Sequence, residues 1–179
     1  MPADWRRANL QQAKADFDMV KFLLGPSGPG FPRYHVLHYL QMTLEKAGKG
    51  LRTERGGPEP ERTHKGAQVM LRMLNLGGTP SLREFHRRLG SRPEQRQARL
   101  RSLSSTAMVI ERLAPANANI TGQGVNAEYP WRKPGDPPEI LAPALHPFGD
   151  PLLDRLRISM LVDMLDMLFQ SLERTGELP

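Results

Sequence analysis

Residues 32–51 read PRYHVLHYLQMTLEKAGKGL, and the spacing of their apolar side chains decides the fold. Leu37, Leu40, Leu44, Ala47 and Leu51 recur at intervals of three and four, a single stripe along an α-helix. Pro32 suits the helix start, because proline has no N–H to lose there and its φ is already helical. Gly48 and Gly50 weaken the helix toward its far end. Arg33, His35, His38, Gln41, Glu45, Lys46 and Lys49 fill the other sides. The helix therefore has a core face and a second face rich in reactive groups.

The same periodicity extends outward in both directions. Upstream, Ala13, Phe17, Val20 and Leu24 mark a helix from about Ala3 to Leu24, with Asp4 as its N-cap. GPSGPGFP then interrupts it, so the first two helices should form an antiparallel pair. Downstream, RTERGGPEPER reads as an exposed loop. Thr63 is the expected N-cap of a third helix ending near Leu76, with Ala67, Met70, Leu71 and Leu74 inward. Ser81 can cap a short helix ending at Gly90, and Pro93 opens another that reaches about Leu113. Eight prolines between Ala114 and Pro151 make that stretch a long irregular segment. The final helix, from Leu152 to about Arg174, carries two ridges. One is Leu153, Leu156, Met160, Met164 and Met167; the other is Leu161, Leu165, Leu168 and Leu172. A stripe that wide must be covered on two sides, by the bundle or by a dimer partner. No repeat and no strand-like alternation is evident. The expectation is a single all-α domain over residues 1–179: an antiparallel bundle of five or six helices with a long proline-rich loop before the last.

Composition agrees with this class. The 179 residues include 39% apolar, 6% aromatic and nine Met, which favours a Leu, Met and Ala core between helices. There is no cysteine, so neither a disulfide framework nor a thiolate zinc site is available. No apolar run reaches the length of a membrane span, and MPADWRRANLQQ lacks the apolar core of a signal peptide. A cytoplasmic protein is expected. The net charge of +6 favours phosphate-bearing partners, RNA or DNA. Arg83, Arg87, Arg88, Arg92, Arg96, Arg99 and Arg101 crowd one region, with Arg92, Arg96 and Arg99 on one helix face. That geometry can track a phosphate backbone with little sequence preference, because interleaved aromatics are nearly absent. The plainer reading is a solvated face paired with Glu84 and Glu94.

Other chemistry is sparse. His35 and His38 share a helix face, but only Glu45 offers a further ligand nearby, so neither metal nor cofactor is expected. Asp163 and Asp166 read as a solvated helix edge. GxxxxGK[ST], GxGxxG and GxSxG are all missing.

Three pieces in order resemble the HEPN superfamily, small helical domains often encoded beside minimal nucleotidyltransferases. HYLQMTLEKAGK supplies Gln41, Glu45, Lys46 and Lys49 in the spacing of that family's second helix, with His38 one residue early. Thr63-His64 matches the start of its next helix. NAEYPW, residues 126–131, matches a Tyr-Pro dipeptide before its last helix. The resemblance implies a helical bundle that homodimerises, a possible nucleotidyltransferase partner of toxin–antitoxin type, and a binding or regulatory role on nucleic acid or nucleotide. It marks Gln41, Glu45, His64, Tyr129 and Trp131 as pocket or loop-anchor residues. Ribonucleases of the family cut RNA without metal using Arg, four to six residues, then His. Arg33 and His38 match that spacing at the start of helix two, so a metal-independent endoribonuclease is the alternative. A third possibility is a structural interaction domain that presents the Met-rich last helix.

Overall fold

The computed structural model describes residues 4–25, 33–54, 56–60, 65–90, 92–114, 127, 131–133, 139–143 and 148–179, with backbone only for 131–133 and 139–141. Among the described residues six α-helices make up the bundle: α1 Trp5–Leu24, α2 Arg33–Arg52, α3 Gly66–Leu76, α4 Pro80–Leu89, α5 Pro93–Arg112 and α6 Arg155–Arg174. Asp4 caps α1 by accepting the Arg7 N–H at 3.1 Å, as its position before the apolar stripe implied. The described residues are all-α apart from two three-residue strands, β1 Trp131–Lys133 and β2 Glu139–Leu141. They pair antiparallel, with Trp131 opposite Leu141 and Lys133 opposite Glu139. Strands that short leave no alternation for a sequence reading to detect.

The pairs α1–α2, α1–α6 and α4–α6 run antiparallel, and named contacts fix each of them. Arg6 at the start of α1 meets Gly50, Leu51 and Thr53 at the end of α2. Lys14, Phe17 and Lys21 of α1 meet Glu173, Phe169 and Asp166 of α6 in that descending order. Phe17 and Phe169 stack with ring centroids 5.1 Å apart. Glu84 and Arg88 of α4 likewise meet Arg174 and Gln170 of α6. α2 packs against α1, α3 and α5, which buries Leu37, Leu40, Leu44, Ala47 and Leu51 as expected.

Five local expectations change. Leu24, expected on the apolar stripe of α1, is exposed, and Leu23 is buried in its place. Helix α3 starts at Gly66 without a side-chain cap from its own N-cap residue, and Thr63 lies outside the described residues. Thr79, not Ser81, caps α4: its hydroxyl accepts the Leu82 N–H, Pro80 fills the first helical position, and Ser81 is buried inside. The final helix begins later than Leu152, because a 3-10 turn at Pro151–Leu153 precedes it and Asp154 caps it through the Arg157 N–H at 2.8 Å. Its two ridges also part. Leu161, Leu165, Leu168 and Leu172 are fully buried; in the other ridge Leu153 and Met164 are buried too, Met167 packs partly buried against the core, and Leu156 and Met160 are 70% and 41% exposed. No helix among the described residues is long and apolar enough to cross a membrane.

Candidate nucleic-acid interface

Between residues 80 and 104 the chain carries seven arginines against two glutamates, a balance of +5 within a total of +6. This is the stretch of α4 and α5. Its arginines divide by what holds them. From α5, Arg96 donates to the Gly90 carbonyl at 3.0 Å and Arg99 to the Leu89 carbonyl at 2.5 Å. These are the carbonyls that α4 leaves unsatisfied at its C-terminus, so the two guanidinium groups cap one helix from the next. Arg92, at the N-cap of α5, is exposed on the same helix, and Arg83 reaches the Gly78 carbonyl at 3.2 Å.

Two members leave this group. Arg87 grips Glu84 through two bonds of 2.8 and 2.7 Å, and Arg174 reaches the same carboxylate at 3.4 Å. The Arg87 bond is the main cause holding the Glu84 carboxyl below its ordinary value, and its own guanidinium rises in turn. Arg88 turns toward α6 and donates to the Met167 carbonyl and to Gln170 Oε1, the latter at 2.6 Å. Arg88 thus ties α4 to α6.

The second face of α2 is less open than its sequence implied. Gln41 and Glu45 are buried, because α5 and α3 close over them. Gln41 Nε2 donates to Glu45 Oε2 at 3.2 Å and Lys49 Nζ to Glu45 Oε1 at 2.6 Å. Beside this row, Glu111 of α5 accepts the Ala67 N–H at 2.7 Å and the Gln68 N–H at 3.4 Å, supplying the cap that α3 lacks. Burial pushes the Glu111 carboxyl up, more than those two amides pull it down, and the neighbouring Glu45 adds to the rise. Glu111 went unnoticed in the sequence. Its signal was a carboxylate four residues after Ala107, next to Ile110 on the apolar stripe of α5.

Arg33 and His38 are drawn to different partners. Arg33 Nη2 donates to the Leu153 carbonyl just ahead of α6. His38 is half-buried, its Nδ1 has no hydrogen-bond partner, and its charge acts on Asp16 of α1. Burial pushes the Asp16 carboxyl up, against the pull of Gln12, Lys46 and His38. His64 and Tyr129 lie outside the described residues, as does the side chain of Trp131. From the same segment, Ala127 is buried and donates its N–H to the Leu113 carbonyl at 3.1 Å, at the end of α5. No group of three or more His, Asp or Glu residues able to hold a metal occurs among the described residues. No family profile, curated protein or solved structure matches this chain.

Proposed function

We propose that this chain is a HEPN-like binding module that holds the phosphate backbone of nucleic acid on the arginines of α4 and α5 and does not cleave it. The observation that carries this reading is the state of those arginines. Arg83 and Arg99 are fixed by backbone carbonyls, which orient a guanidinium without neutralising it. Each keeps its full charge and further N–H donors for a phosphate oxygen. Surface arginines held by carboxylates, as Arg87 is, would have lost most of that attraction. The role is regulatory in this reading, and the family resemblance makes a nucleotidyltransferase the partner to test by co-purification.

Fluorescence anisotropy of a labelled mixed-sequence RNA across a salt series tests the reading. Binding should weaken steeply with salt, and Arg92→Ala and Arg99→Ala should each lower the slope of log affinity on log salt by about one. Binding that ignores both substitutions in folded protein would sink the proposal. The same RNA incubated with protein in EDTA separates the nuclease alternative. Cleavage that Arg33→Ala and His38→Ala both abolish, with circular dichroism unchanged, would replace binding with catalysis.

A further inference from the structure

Next to the arginine track lies a groove of about 470 Å³, walled by Asn75 and His86 on one side and Glu94, Arg96 and Gln97 on the other, with Leu100 at its base. Small-ligand sites fall in this size range. We infer that this groove receives one unpaired base of a single-stranded nucleic acid whose phosphates lie on Arg92 and Arg99. The inference rests on the phosphate-binding reading above and deepens it.

Its shape and chemistry carry the assignment. Arg92 and Arg99 flank Glu94 and Gln97 of the groove wall on α5, so a strand anchored on the two arginines brings its nearest base to the opening. The walls offer the groups that read base edges. Asn75 commits its Nδ2 to the Leu71 carbonyl at 2.9 Å, which leaves its side-chain oxygen as an acceptor toward the groove. Gln97 and Glu94 are exposed; an amide pairs with a donor–acceptor edge, and a carboxylate accepts from an exocyclic amino group. The far wall is rigid. His86 Nε2 binds the Leu74 carbonyl and must therefore be the donor, and the ring lies against Gly77. A Cβ on Gly77 would stand 2.7 Å from His86 Cε1, and its φ of +63° already favours glycine. A base in a duplex has both faces stacked and its pairing edge occupied, so only an unpaired base can enter.

The test compares binding of an RNA of about 12 nucleotides, its DNA counterpart and the matching duplexes at equal salt. Wild-type protein should bind a single strand about tenfold more tightly than its duplex. The double variant Asn75→Ala/Gln97→Ala should erase that advantage while leaving duplex affinity and the salt slope unchanged. Arg92→Glu should weaken all ligands together. The advantage should appear with RNA or with DNA, and the arm that shows it names the sugar. Equal affinity of wild type for single strand and duplex would overturn the groove while leaving the arginine track standing. Equal loss on both ligands in the double variant would also overturn it. Absence of any binding would remove the track and the groove together.

Discussion

Gly48 of α2 and Gly66 at the start of α3 touch backbone to backbone. A Cβ on Gly48 would lie 3.0 Å from Gly66 Cα and inside the van der Waals surface of its carbonyl oxygen; one on Gly66 would collide with Glu45 Cα. The two helices can cross this closely only because neither carries a side chain at the crossing. Backbone on both sides leaves nothing flexible to move.

Gly48→Ala should therefore destabilise the protein by about 3 kcal/mol, since relief requires separating α2 from α3. Gly50→Ala serves as the contrast. Its Cβ would meet Leu10 Cγ at 2.7 Å and the Leu10 backbone N at 3.1 Å, so this buried leucine must repack, while the helix gains about 1 kcal/mol from replacing glycine. The net loss there should be smaller than at Gly48, about 1–2 kcal/mol. Urea melts followed by circular dichroism measure both; equal effects would contradict the backbone-contact explanation.

Arg6 should be among the costliest positions to lose. It is buried, donates to the carbonyls of Gly50, Leu51 and Thr53, and pairs with Glu177. Arg6→Ala leaves those carbonyls and a buried carboxylate uncompensated, with a cost of about 3–5 kcal/mol. Arg6→Lys should rescue little, because one ammonium cannot span the same acceptors. Thermal unfolding of the two variants decides this.

Acid should expose the Glu177 contribution. Burial pushes its carboxyl up, but bonds from Ser81 and Arg6 outweigh that and hold it below its ordinary value. A carboxyl depressed in the folded state stabilises it above the unfolded pKa, and the gain disappears as pH falls through the lower, folded value. Wild type should lose stability as pH drops below about 4. Glu177→Gln should start less stable at neutral pH and lose less over the same range. Parallel curves for the two proteins would refute the linkage.

Asp16 has the opposite sign. Its folded pKa is raised by burial, its Oδ2 has no partner, and its charged form is the disfavoured one. The fold takes up protons there, so stability falls as pH rises from the unfolded to the folded pKa. Asp16→Asn should raise the midpoint of thermal unfolding at pH 7 by about 2–4 °C and flatten that part of the pH profile. A lowered midpoint would show that the carboxylate is held by more than Gln12.

Removing the distant cap should loosen α3 alone. Glu111→Ala leaves the Ala67 and Gln68 amides unsatisfied, at about 1–2 kcal/mol, whereas Glu111→Gln keeps an acceptor and should cost less. Amide hydrogen exchange should quicken at the start of α3 in Glu111→Ala while α1 and α6 stay protected.

What the sequence by itself determined was the helical class, an antiparallel bundle of five or six helices, and most of the inward residues of each. These follow from a period of 3.6 and from breaks at proline and glycine, both of which act within a few residues. Leu37, Leu40 and Leu44 on α2 and Leu161, Leu165 and Leu168 on α6 were readable for that reason. Only the tertiary structure decided what the polar residues do. Gln41 and Glu45 looked like a free face until α3 and α5 closed over them. Gly48 looked like a weak point until Gly66 was placed against it, and Arg96 and Arg99 looked like solvated charge until α4 ended beside them. Glu111 caps a helix whose first residue lies more than forty positions earlier. Each of these depends on a partner brought close by folding, and periodicity along one segment carries no information about which partner that is.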